Sequence, residues 1–399
     1  MRILLVADGR SPITKNWIRM LGDVDLQISL ISTYPAEPIP GVEHQFTLPV
    51  GFSSFAGGQV KRAGQTKPTL KNRIVAILRP ILMRIRALIT PLLLARSQKQ
   101  FLQIVEQISP DIVHALRIPF EGMLAAALQK RIPLIISIWG NDLSLHAHTS
   151  FSMAARIRET LRRADGLMAD AASDIQLASE WGLRSATPGI VVPGSGGLDL
   201  DALRKPPNQS ILKKYGLPKN RQLVINPRGF RPGSVHQDVF FKSVPLILEQ
   251  NPNVHFVCTG MAGQPQAEKW VRDYGIKGSV TLLPYLPQEE LWALYALADV
   301  YISLSSHDGT PNSFLEAIAC GCFPVVGDIP SLQEWIDQGK NGSMVDPQDA
   351  RTAADAVIRA LRDEALRNSA ESINQDLVSE RANIQLVKKQ VREFYQQFI

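Results

Sequence analysis

The sequence predicts two doubly wound α/β domains in series, on three observations. Short runs rich in Ile, Val and Leu alternate with longer stretches of helical spacing, the pattern of βαβ units around a parallel sheet. At 399 residues the chain exceeds the roughly 250 to 300 residues at which single cores stop growing. A Gly/Pro-rich stretch, PGSGGLDLDALRKPP from Pro193, interrupts the alternation where a boundary between domains would fall.

In the first domain, 1–195, the expected strands are Arg2 to Ala7, Leu26 to Ile31, Asp111 to Leu116, Leu134 to Trp139, Gly166 to Ala169 and Ile190 to Val192. In the second, 205–379, they are Leu223 to Asn226, His255 to Cys258, Val280 to Leu283, Val300 to Leu304, Phe323 to Val326 and Ser343 to Val345. Continuous apolar strands of this kind are buried on both faces, so helices must cover each sheet twice. Ile384, Val387, Val391, Phe394 and Tyr395 fall near helical spacing at the end of the chain. A closing helix over about 380–399 is therefore expected to return to the first domain. Ligands of open parallel sheets bind beyond the carboxyl ends of the strands, so two such sheets facing each other would form a cleft.

The composition, 45% hydrophobic and 20% charged, is that of a globular protein. Its three cysteines, Cys258, Cys320 and Cys322, suit neither a disulfide framework nor a zinc site, which favours a reducing, cytoplasmic setting. MRILLVADG reads as a first strand and not as a signal peptide. The net charge is +6, yet Gly51 to Val105 holds ten Lys or Arg and no Asp or Glu, so the remainder is net negative. Two readings of the basic segment 61–99 stand side by side. It could contact an anionic membrane surface on the inner face, or it could be a solvated basic helix over the first core. It does not span a membrane, because Arg79, Arg84 and Arg86 interrupt its apolar run.

The most informative segment is SSHDGTPNSFLEAIACGCFPVV, from Ser305. Thr310 before Pro311 predicts an N-cap and a helix that starts at Pro311, and Gly321 predicts its left-handed end. The first-turn amides at Asn312 and Ser313 then lack intrahelical partners and face the positive end of the dipole, a site for phosphate. Asp308 lies just before the helix, and Glu316 leans back toward its start because helical side chains tilt that way. Two carboxylates beside an anion site suit a ligand with both phosphates and vicinal hydroxyls. A nucleotide sugar has both. The plainer alternative is a turn-capping Asp308 and a solvent-facing Glu316.

Asp308, seven residues, Glu316 and then AIACGCFPVV resembles the signature of family 4 of the retaining glycosyltransferases, which have the two-domain GT-B fold. FVCTGM at Phe256, VTLLPYLPQEELWALYALADVYISLSS at Val280, the turn from Gly339 to Val345, PDIVHAL and IWGNDL resemble the family too. The resemblance spans most of the chain and is most specific from His255 to Asp346. It implies an acceptor-side first domain and a donor-binding second one. Glu316 would bind the ribose and Asp308 would face the transferred sugar. Gly309, Thr310, Asn312 and Ser313 would hold sugar hydroxyls and phosphate, with the base near Tyr285. Gly9, in the turn after the first strand, is placed with the donor contacts. Arg228 matches the family's diphosphate-clamping Arg.

Three positions depart from the pattern. Asp308 replaces a Glu, Trp139 stands where many members have His, and the Lys of the clamp is replaced by Arg231, by His236 or by nothing. With that His absent, Asp142 is the nearer candidate for the donor sugar. The implied activity is metal-independent, retaining transfer of a hexosyl unit to a glycan or lipid-linked acceptor in surface polysaccharide or glycolipid assembly. It needs no cofactor beyond the nucleotide-diphosphate sugar and no nucleic acid. The alternatives are a hydrolysing nucleotide-sugar 2-epimerase, for which His146, His148, His236 and His307 are available, and a degenerate subunit that binds the sugar nucleotide without using it.

Overall fold

The fold is given by a computed structural model that describes residues 1–22, 26–50, 94–204 and 209–399. Among these, the residues up to Gly197 together with Gln385–Ile399 form one compact unit, and Leu198–Ile384 form a second.

The sheet of the first unit holds β1 (Arg2–Ala7), β2 (Gln27–Ser32), β3 (His44–Thr47), β4 (Ile112–Ala115), β5 (Leu134–Ile138), β6 (Gly166–Ala169) and β7 (Gly189–Val191). All run parallel, in the order β3-β2-β1-β4-β5-β6-β7. The sequence pattern passes over β3, because HQFT at a partly exposed sheet edge offers no apolar run.

The second sheet is also parallel. It holds β8 (Gln222–Asn226), β9 (Val254–Cys258), β10 (Val280–Leu282), β11 (Val300–Ser303), β12 (Phe323–Gly327) and β13 (Ser343–Val345), in the order β10-β9-β8-β11-β12-β13. Alternate residues serve opposite faces. Val224, Phe256, Val300, Ile302 and Val325 pack into one apolar layer, and Ile225, Val257, Tyr301 and Val326 into the other. The direction of winding reverses between β1 and β4 in the first unit and between β8 and β11 in the second. Such switch points are where the loops part and a ligand can enter.

Helix Glu364–Arg381 packs on helix Asn312–Ala319 in the second unit. The closing segment that belongs to the first unit begins at Gln385. Its helix, Ile384–Gln396, buries Val387, Val391, Phe394 and Tyr395. The Tyr395 hydroxyl meets Nδ1 of His114 on β4 at 2.7 Å, and Nε2 of the same ring meets Ser137 Oγ at 2.9 Å. Of the basic segment 61–99, all residues before 94 lie outside the described ones. The helix over 94–108 sends Leu94, Phe101 and Val105 into the first core. Among the described residues no helix is long and apolar enough to cross a membrane.

Candidate functional site

The loops at the switch point of the second sheet are laced together through their backbones. Loop 227–236 follows β8 and loop 304–311 follows β11. The two are joined by His236 N–H to Leu304 O at 2.9 Å and by Ser306 N–H to Ser234 O at 2.9 Å. Gln237 staples the first loop internally, accepting from Asn226 Nδ2 at 2.8 Å and donating to Gly229 O at 2.6 Å. Loop 283–287 approaches through Met261 N–H to Leu283 O at 2.9 Å.

Arg228 and Asp308 meet across this switch point in an ion pair. Arg228 is buried, and its Nη1 donates to Ser313 Oγ at 3.3 Å. Ser305 Oγ donates to Asp308 Oδ2 at 3.4 Å, and Ser331 Oγ donates to the Asp308 carbonyl at 3.0 Å. Arg231 is exposed, and the Arg228 charge beside it lowers its pKa.

The helix bearing Ser313 and Glu316 spans Asn312–Ala319. It begins one residue later than expected, with extended Pro311 at the cap position and no side-chain cap. Thr310 is not the cap. It is buried, and its hydroxyl accepts from Trp335 Nε1 at 3.3 Å. Gly309 is buried, and Asn312 is half-buried at the first helical position. The helix ends on Gly321 in the left-handed region, φ +97°, with Cys322 N–H returning to Ala317 O at 3.0 Å.

Glu316 does not face solvent. It is 5% exposed, and its Oε1 accepts from Gln288 Nε2 at 2.8 Å. Burial pushes its pKa up to about 7 against the opposing pull of Gln288 and Trp292. Two buried polar groups around this helix make no hydrogen bond within the described chain: Arg228 Nε and Tyr295 Oη. Unsatisfied buried donors are rare in folded proteins, and two of them near one buried carboxylate suit a polar ligand or ordered water.

Tyr285 is half exposed, and its ring lies over the backbone of Gly229 and Gly260. A Cβ at Gly260, where φ is +72°, would sit 2.9 Å from that ring. Both glycines are therefore needed for an aromatic surface beside Arg228.

Thus Arg228, Arg231, Tyr285, Asp308, Gly309, Thr310, Asn312, Ser313 and Glu316 all lie in the second unit on these adjoining loops and helix. Gly9 and Asp142 lie in the first unit. Gly9 N–H donates to Ser32 Oγ at 3.0 Å, and a Cβ there would meet that oxygen at 2.8 Å, so close packing accounts for this glycine. Asp142 is fully buried; Oδ1 accepts from Arg117 Nε at 2.7 Å and Oδ2 from Ile118 N–H at 3.3 Å. Its carboxylate holds the corner after β4, with both oxygens engaged by the chain.

Some residues had no sequence signal that marked them. Gln288 and Trp292 read as ordinary helical positions, yet they are the neighbours of Glu316. Glu121, near the switch point of the first sheet, is buried and accepts from Thr33 Oγ1 at 2.6 Å. Burial raises its pKa to about 6, and it follows Phe120, a non-glycine residue at φ +72°.

The fold and site together define a two-domain parallel α/β protein whose second unit offers a guanidinium, a helix start and a buried carboxylate at its switch point. Two family models match: Glycosyl transferases group 1 over residues 208–376, and Glycosyl transferase 4-like over 73–171. The chain thus carries a Glycosyl transferases group 1 domain and a Glycosyl transferase 4-like domain, on the two parallel sheets of the GT-B fold. Its curated relatives include the D-inositol 3-phosphate glycosyltransferase of Corynebacterium urealyticum, 31% identical over 32% of this chain and 32% of that one. The enzyme of the same name from Nocardioides sp. is 25% identical over 65% of this chain and 61% of that one. The chain thus spans from about a third to about three fifths of the length of these relatives. Among solved structures, HepE of Anabaena in complex with UDP shares the fold at a TM-score of 0.73 with 16% identity, covering 100% of both chains.

Proposed function

We propose that this chain is a retaining, metal-independent glycosyltransferase that moves a hexosyl unit from a nucleotide-diphosphate sugar to a glycan or lipid-linked acceptor. The observation that carries the reading is the pairing, at one switch point, of two arginines and a helix start with the buried Glu316 carboxylate. Arg231, Arg228 and the first turn of helix Asn312–Ala319 meet the diphosphate. Glu316 accepts from the ribose diol, and Tyr285 offers its exposed ring beside the base. UDP in the HepE structure and the glycosyl-transferring names of the relatives support a donor of this class.

Cleavage of the sugar–phosphate bond leaves negative charge on the departing diphosphate. Fixed donors aimed at that charge lower the barrier, and charge-assisted hydrogen bonds contribute about 1.5 to 3 kcal/mol each. The leaving phosphate then takes the acceptor proton on the same face, so the anomeric configuration is retained without a covalent enzyme intermediate. Membrane-linked acceptors and a role in surface polysaccharide or glycolipid assembly belong to the same proposal.

Thermal stabilisation by a panel of UDP, GDP and ADP sugars tests the donor class, because a ligand of the native state raises stability by mass action. The donor that stabilises should then transfer its sugar to an acceptor with the anomeric signal retained in NMR. Release of free epimerised sugar with water as sole acceptor would mark an epimerase instead. Transfer is expected to persist in excess chelator, since the diphosphate clamp is made of guanidinium and amide groups. Loss of activity that magnesium restores would refute this clamp.

A further inference from the structure

The resemblance places Asp308 against the transferred sugar, but the geometry assigns its carboxylate to other work. Oδ2 is occupied by Arg228 Nη2 and by Ser305 Oγ at 3.4 Å, and Ser303 Oγ stands 3.2 Å behind Ser305. On the other side Arg228 Nη1 donates to Ser313 Oγ, which also meets the buried Tyr301 hydroxyl at 3.3 Å. A continuous polar chain therefore runs Ser303, Ser305, Asp308, Arg228, Ser313, Tyr301 across the switch point, with Arg228 at its centre. The Arg228 side chain is 6% exposed and that of Asp308 18%, so the pair is recessed and held from both sides.

A guanidinium is planar, so fixing one hydrogen on each terminal nitrogen fixes the whole fork. Held in this way, Arg228 keeps three N–H donors beyond its bonds to Asp308 and Ser313, including the buried and unpartnered Nε. Charge points the same way. Asp308 neutralises Arg228, and the exposed Arg231, which has no ion pair among the described residues, is the cation left at the mouth.

We propose that Asp308 is a positioning residue that acts through Arg228, holding its guanidinium plane for the diphosphate of the donor, and that it does not contact the transferred sugar. The proposal rests on the donor-site reading above and departs from the sugar-facing role implied by the resemblance. Asp suits this task better than Glu because its shorter arm keeps the carboxylate within reach of Ser305 and beside Arg228 while Ser331 pins its backbone. Replacement of a Glu by Asp at this position is then a change of function for the side chain and not a weakened version of the same contact.

The experiment is a double-mutant cycle read by calorimetric titration of UDP, GDP and uridine into the wild type, Asp308→Asn, Arg228→Gln and the double variant, with Glu316→Gln alongside. Asp308→Asn is expected to lose about tenfold or more in affinity for the free nucleoside diphosphate, without any sugar present. The double variant should bind no more weakly than Arg228→Gln alone. Uridine, measured by displacement, should keep its affinity in Asp308→Asn, whereas general damage to the fold would weaken both probes. Asp308→Glu, which keeps the charge on a longer arm, should recover part of the loss. If Arg228→Gln proves too unstable to titrate, Ser313→Ala replaces it, because that change loosens the fork without stranding a charge. Wild-type diphosphate affinity in Asp308→Asn with turnover reduced, or losses that simply add in the double variant, would overturn the proposal while leaving the donor site intact. Unchanged diphosphate affinity in Arg228→Gln and Glu316→Gln as well would sink the donor-site reading itself.

Discussion

At the scale of single residues, Glu316 is the position where charge and burial conflict. Its carboxyl is nearly excluded from water, and burial raises its pKa to about 7. A folded-state pKa above the unfolded one means the native chain holds the proton longer, so stability falls as pH rises from about 4.5 through about 7. Glu316→Gln should therefore melt higher than the wild type at pH 8, with the gap closing by pH 5 in paired thermal scans. Nucleotide binding follows the opposite order. The ribose diol needs the ionised acceptor, so wild-type affinity should fall between pH 8 and pH 6, and Glu316→Gln should bind about 10- to 100-fold more weakly with a flat profile. A stabilised variant with undiminished affinity would show that Glu316 is no ligand contact.

At the scale of elements, two close approaches fix how parts of the chain can move. Gly327 closes β12, and a Cβ there would stand 2.1 Å from the backbone oxygen of Ser305. That oxygen cannot rotate away, so Gly327→Ala must displace the loop carrying Asp308. Reduced nucleotide affinity at least as great as that of Asp308→Asn is expected, with far-UV circular dichroism preserved; an alanine variant with wild-type binding would contradict it. In the first unit, His114 ties β4 to the closing helix through Tyr395 and is held neutral by burial, with a pKa near 3. Its folded pKa lies below the unfolded value of about 6.5, so it contributes stability above that pH which is lost as pH falls toward 3. His114→Gln should lower the melting temperature at pH 8 yet flatten the decline between pH 6.5 and pH 4. An unchanged acid slope would mean that other groups carry the acid sensitivity.

At the scale of the whole molecule, donor binding should register on segments far apart in sequence. Hydrogen exchange with UDP or GDP bound should slow in 228–236, 259–264, 283–288 and 304–313, all of which meet in the second unit. Protection confined to other segments would place the ligand elsewhere. Much of this unit was legible in the sequence because its signals are local. Apolar runs such as FVCTG and VYISL are buried strands wherever they occur in such a chain, and Gly321 ends its helix because few other residues adopt a φ of +97°. The edge strand His44–Thr47 was not legible, because half-exposed pairing leaves no apolar trace.

Twelve of the strands, the parallel α/β class and the left-handed end of the helix at Gly321 were determined by the sequence alone, since burial and helix ends are written within a few residues. Which groups touch was decided only by tertiary structure. Arg228 and Asp308 are 80 positions apart, Gln288 and Glu316 are 28 apart, and Thr310 yields its capping role to Trp335, 25 positions on. Asp142 looked free for a sugar in one dimension and is enclosed by Arg117 and Ile118 in three. The reason is physical: a carboxylate's role depends on the charge and donors that chain reversal brings to it, and only the completed winding of each sheet says which these are.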